Sequence, residues 1–131
     1  MKKKPDDVHR YHILAIDDEP DLCSLFKDIF EDEEHSVTTA QDGLEGLERY
    51  GERKPDLIIL DLKMPRMGGM ETLRNIRKVD KDVIVIILTA YGSAFTAREA
   101  ADLNVYEYIS KPFNIETVKN VVNEALASRR K

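Results

Sequence analysis

The sequence predicts a single α/β domain, a five-stranded parallel sheet carrying five helices on its two faces. Three observations lead there. Short runs rich in aliphatic and β-branched residues alternate five times with longer runs of helical period. Two of the short runs, LIILD and VIVIIL, are apolar without alternation, as strands buried on both faces are. No repeat, low-complexity tract or Gly/Ser linker interrupts the pattern, and 131 residues is the length of one ordinary domain.

The first strand is expected near 11–16. Pro20 then opens a helix, where its missing N–H costs nothing, and Leu22, Leu25, Phe26, Ile29 and Phe30 recur at i, i+3, i+4, i+7 and i+8. A weaker strand, HSVTTA, follows near 35–40. Asp42 can cap the second helix, which carries Leu44 and Leu47 inward and ends around Gly51, ahead of Pro55. LIILD and VIVIIL take the sheet centre, and the helix between them runs from about Gly69 to Val79. The fourth helix, near 94–103, rests on Ala94, Ala97, Ala100 and Ala101; so little apolar bulk implies weak docking and makes it a candidate for movement. VYEYIS is the last strand, and the closing helix sets Ile115, Val118, Val121, Val122 and Ala125 on one face behind an Asn114 cap.

Charge and cysteine content narrow the setting. Six of the 20 basic residues lie in two terminal clusters, so residues 5–128 hold 14 basic against 25 acidic, a net of −11. A body this acidic argues against direct nucleic-acid binding, which relies on a basic face. Residues 1–9 and 129–131 read as basic tails around a domain spanning 10–128. A lone cysteine, Cys23, cannot form an internal disulfide, and no apolar run is long enough to span a bilayer. The expectation is a cytoplasmic protein with no membrane partner.

Function is concentrated at five polar residues that end or follow the strands: Asp17, Asp18, Asp61, Thr89 and Lys111. In a parallel sheet all five emerge at the carboxyl edge, where open α/β sheets bind ligands. Three carboxylates without histidine or cysteine suit Mg²⁺ better than Zn²⁺. Asp61 precedes LKMPRMGG, whose Pro65, Gly68 and Gly69 allow the tight turn that leaves a carboxylate exposed as a nucleophile toward phosphorus. Thr89 can donate to a phosphoryl oxygen or bond a nearby backbone group. Lys111 precedes Pro112, which restrains it to extended geometry and admits a cis bond. Each feature alone has a plainer reading: an acidic loop before a helix, a loop cap, a solvated lysine.

Together, DDEP at 17–20, DLKMPRMGG at 61–69, TAYG at 89–92 and YEYISKPF at 106–113 resemble the receiver domain of two-component response regulators, in order and over nearly the whole chain. The resemblance implies a flavodoxin-like doubly wound fold with strand order 2-1-3-4-5. It implies Asp61 as phosphoacceptor, and Mg²⁺ held by Asp18, Asp61 and the backbone carbonyl of Lys63 with Asp17 assisting through water. Thr89 and Lys111 would bind the phosphoryl group, and Thr89 and Tyr108 would form the switch. The implied donor is a histidine kinase or histidine phosphotransfer protein, and the implied recipient an output domain or effector protein. A homodimer through the fourth helix, fifth strand and fifth helix is a further expectation. Such a domain is not an enzyme beyond promoting its own phosphorylation and dephosphorylation.

Three features merit notice against the family pattern. Gly68 stands where Asp or Asn is usual, which weakens a helix cap by a few tenths of a kcal/mol. Asn104 replaces a usual glycine and tolerates positive φ. Lys63 and Tyr91 hold variable positions that flank the approach of water to Asp61, so they are expected to set the lifetime of the phosphoaspartate. The rival enzyme reading is an aspartate-nucleophile phosphatase of the haloacid-dehalogenase type. That chemistry needs an acid two residues after the nucleophile, where this chain has Lys63. A third reading is an interaction domain independent of phosphate.

Overall fold

The computed structural model describes residues 10–92 and 96–129; the expected N-terminal tail, Ala94, Arg130 and Lys131 lie outside them. Strands β1 (His12–Ile16), β2 (Ser36–Ala40), β3 (Leu57–Leu60), β4 (Ile84–Thr89) and β5 (Glu107–Ser110) alternate with helices α1 (Pro20–Asp32), α2 (Gly43–Glu52), α3 (Gly69–Val79), α4 (Ala97–Asp102) and α5 (Ile115–Ser128). The sheet has order β2-β1-β3-β4-β5 with every pair parallel. This is the doubly wound arrangement and strand order that the family resemblance implied.

Side-chain alternation divides the core into two layers. Ile13, Ala15, Leu57, Ile59, Ile86 and Leu88 meet Phe26 and Phe30 of α1 and Val118, Val122 and Ala125 of α5. Leu14, Ile16, Ile58, Leu60, Val85 and Ile87 face the other way, against Leu73 and Ile76 of α3, with Leu47 and Leu103 at the margin. All four residues of β3 and five of six in β4 are buried, so both central strands are covered on each face.

Two expectations about helix faces are overturned. Leu44 is 44% exposed, because α2 docks through Gly43 and Gly46, whose Cα atoms lie against Met67, Thr72 and Ile16. A helix that approaches on glycines sits too close to turn a first-turn leucine inward. Leu25 is 42% exposed, since the buried line of α1 is Cys23, Phe26 and Phe30, which rotates Leu25 outward. The caps behave as expected: Asp42 accepts from Glu45 N–H, Asn114 accepts from Glu116 N–H, and Gly68 supplies no side-chain cap. Helix α4 is shorter than expected. It has no buried residue and starts at a capping box in which Thr96 and Glu99 each accept the other's backbone N–H. Asn104 takes φ 54°, the left-handed turn its side chain tolerates.

Candidate functional site

Strand register explains why the polar residues meet. Ile16 pairs with Leu60, so the next residues, Asp17 and Asp61, leave adjacent strands at one level. Each still donates its N–H to the neighbouring strand, Asp17 to Ala40 O and Asp61 to Ile16 O, which holds both backbones rigid where the side chains emerge. Strand β4 runs on to Thr89, paired with Ser110, and Lys111 N–H donates to Thr89 O. Four parallel strand ends thereby deliver their polar side chains to one edge.

The centre of the site is the Lys111 ammonium. It donates to Asp17 Oδ2 at 2.7 Å, to Glu19 Oε1 at 3.1 Å and to Asp61 Oδ2 at 3.4 Å. Asp61 Oδ1 accepts from Leu62 N–H at 2.7 Å, and Asp17 Oδ1 from Glu19 N–H at 3.0 Å. Asp17 and Asp61 are buried while Asp18 is exposed. Burial pushes the Asp17 carboxyl up, and the Lys111 hydrogen bond opposes that. Burial alone would lower Lys111, but Asp17, Glu19 and Asp61 outweigh it and raise its pKa. The Lys111 ammonium therefore persists at neutral pH.

Asp17, Asp18 and Asp61 each offer an oxygen, all within 4.8 Å of one another. A hard, all-oxygen donor set of this kind fits Mg²⁺. Thr89 is fully buried, and its hydroxyl oxygen accepts from Tyr91 N–H at 3.1 Å. The local backbone bond weighed from the sequence is thus formed, and the hydroxyl hydrogen remains for an acceptor. Lys63 Nζ lies over the Tyr91 ring at 4.7 Å from its centroid. Tyr108 is 38% exposed with its hydroxyl against Gly92, where a Cβ would overlap it. The Lys111–Pro112 peptide bond is cis.

Residues 13–123 match the family described as the response regulator receiver domain. The chain belongs to that family. As a receiver it resembles both a curated relative of about its own length and longer ones. It is 33% identical over 114 residues to sporulation initiation phosphotransferase F of Bacillus subtilis (strain 168), covering 87% of this chain and 92% of that one. It is 38% identical over 115 residues to the transcriptional regulatory protein GlrR of Escherichia coli (strain K12), covering 88% of this chain but 26% of the relative. Among solved structures, a receiver domain protein from Clostridium thermocellum superposes with TM-score 0.80 at 34% identity, over 91% of this chain and 96% of that one. The response regulator TrrA of Thermotoga maritima, solved in complex with Mg²⁺ and BeF, gives 0.77 at 35% identity, over 87% and 97%. Receivers of this family are signalling switches for which phosphorylation and Mg²⁺ binding are typical. No helix among the described residues is long and apolar enough to cross a membrane.

Two participants escaped the sequence reading. Glu19 reaches Lys111, a contact the acidic triplet hints at but whose direction depends on the turn into Pro20. Cys23 donates its thiol to Asp17 O at 3.3 Å, and burial pushes that thiol up to about 11, so it packs as an unreactive group behind the site.

Proposed function

We propose that this receiver is a phosphorylation-controlled switch in which Asp61 accepts the phosphoryl group of a phosphohistidine on a kinase or phosphotransfer protein. The convergence of Asp61, Asp17 and Lys111 within hydrogen-bonding reach at the sheet edge carries the reading. An Asp61 carboxylate oxygen attacks phosphorus, the P–N bond breaks, and the donor histidine leaves as imidazole. Phosphoryl transfer asks mainly for positioning and charge neutralisation. Lys111 supplies a cation to the incoming oxygens, and Thr89 turns its hydroxyl hydrogen toward one of them. Asp18, Asp61 and the Lys63 carbonyl would hold Mg²⁺, with Asp17 assisting through water, and the ion would supply further positive charge to the phosphoryl oxygens.

Once Asp61 carries the phosphoryl group, Lys111 moves toward it from Asp17 and Glu19, and Thr89 exchanges its Tyr91 contact for the new oxygen. Tyr108 then turns inward off Gly92. Moving such an equilibrium from mostly off to mostly on takes about 5.5 kcal/mol. Charge-assisted hydrogen bonds contribute about 1.5–3 kcal/mol each, so Thr89, Lys111 and Mg²⁺ must act together. The output is an effector or a following domain, met in the cytoplasm through α4, β5 and α5 or through a second copy paired on that face. Intact mass after incubation with Mg²⁺ and acetyl phosphate tests this. A single labile phosphoryl adduct on the wild type and none on Asp61→Asn is expected; an adduct on both, or on neither, refutes Asp61 as acceptor.

A further inference from the structure

Among the described residues, helix α4 is firmly held only at its carboxyl end. Its six residues bury nothing, and Arg74 at 3.3 Å from Glu99 is an exposed pair worth little. Its C-terminal end is different. Arg77, near the end of α3 and only 7% exposed, donates Nε to Leu103 O at 2.8 Å, Nη2 to Asn104 O at 3.0 Å and Nη1 to Asp80 O at 3.1 Å. Leu103 is the C-cap of α4 and Asn104 the residue after it, and Asp80 is the C-cap of α3. One guanidinium thus joins the negative ends of two helices, where cations are favoured.

The surroundings keep that guanidinium in place. Asp80 accepts from Asp82 and Val83 N–H at 3.0 Å each and from the Tyr50 hydroxyl at 2.6 Å, which ties α2 to the same junction. Asn104 donates its side-chain amide to Lys81 O at 3.3 Å, and Leu103 and Val105 pack on the core. A buried guanidinium with its donors on carbonyls is costly to disturb, because any released N–H stays desolvated. By contrast, among the described residues the amino end of α4 carries the exposed Thr96–Glu99 box, and along the chain it follows the Thr89-to-Gly92 segment.

We propose that Arg77 is the pivot of α4, a positioning residue that holds Leu103 and Asn104 still so that a change at Thr89 swings the amino end of the helix rather than sliding the whole. This rests on Asp61 being the phosphoacceptor. A sliding helix would move its contact surface as a block. A pivoted one changes most at Ala97 to Ala100 and least at Leu103 to Val105.

Amide hydrogen exchange with and without Mg²⁺ and beryllofluoride, on samples whose Asp61 adduct with acetyl phosphate is verified by mass, tests the pivot. In the wild type the Ala97 to Ala100 amides change on beryllofluoride binding while Leu103 and Val105 do not. In Arg77→Gln the Leu103 and Val105 amides exchange roughly tenfold faster and now respond to beryllofluoride, with the Asp61 adduct still formed; Arg77→Lys restores part of the contrast. An adduct with an equal response along α4 in the wild type overturns the pivot and leaves the phosphoacceptor intact. An absent adduct overturns both. Should Arg77→Gln not fold, the wild-type profile and Arg77→Lys still decide.

Discussion

Gly69→Ala should damage the protein where Gly68→Asn should not, although the two glycines are neighbours. A Cβ on Gly69 would sit 2.7 Å from Leu62 Cα and 3.0 Å from the Asp61 carbonyl carbon, and would overlap the Asp61 carbonyl oxygen. Carbon atoms in contact settle at about 3.5–4.0 Å, so about 1 Å must be found. All three neighbours are backbone, and no rotamer can yield that distance. Overpacking of this kind costs about 1–3 kcal/mol, against which the better helix propensity of alanine returns about 1 kcal/mol at most. The net loss of about 1–2 kcal/mol lowers Tm by roughly 4–8 °C in a domain of this size.

The displaced peptide is that of Asp61 itself, so its reaction with acetyl phosphate should slow in the same variant. Gly68 has ordinary extended dihedrals, φ −74° and ψ 167°, and its Cβ would meet only Leu62 O at 3.3 Å. Asparagine there adds the missing cap acceptor and should gain a few tenths of a kcal/mol. Thermal unfolding followed by circular dichroism, paired with the acetyl phosphate rate, gives both readouts. The steric reasoning fails if Gly69→Ala melts and reacts like the wild type, or if Gly68→Asn loses as much as Gly69→Ala.

Four further outcomes follow from single contacts. Burial and the hydrogen bond to Asp80 push the Tyr50 phenol up to about 12, so its proton-linked stability is fully present below pH 10 and is lost as pH rises toward 12; ultraviolet titration compared with Tyr50→Phe should show that late step, and a normal midpoint near 10 would sink it. Asn104→Val, at φ 54°, should cost about 1–2 kcal/mol in urea unfolding while Asn104→Gly costs less; equal costs would remove backbone strain as the cause. Lys63→Ala and Tyr91→Ala break the contact between the Lys63 ammonium and the Tyr91 ring, and loss of phosphoryl adduct after removal of acetyl phosphate should change in both; if neither rate moves, the pair has no part in the lifetime. Gly92→Ala should expel the Tyr108 hydroxyl from its seat and alter the Tyr108 ring signals in NMR, and unaltered signals would exclude that packing.

The order of elements and the five polar residues at the strand ends could be read from the chain because both are local. Apolar period reports which residues a strand or helix must hide, and a polar residue directly after a buried run has to emerge at its end. Even the left-handed turn at Asn104 is a property of one residue type. What depended on the tertiary structure was everything set by close approach between distant segments. Leu44 is exposed because α2 docks on Gly43 and Gly46, and a glycine carries no hydrophobic signal to announce that it is buried. Glu19 shares Lys111 across 92 residues, and Arg77 fastens the end of α4 across 26 and 27. Charged side chains such as these read as solvated in sequence, since only the folded chain brings the carbonyls and carboxylates that make their burial tolerable.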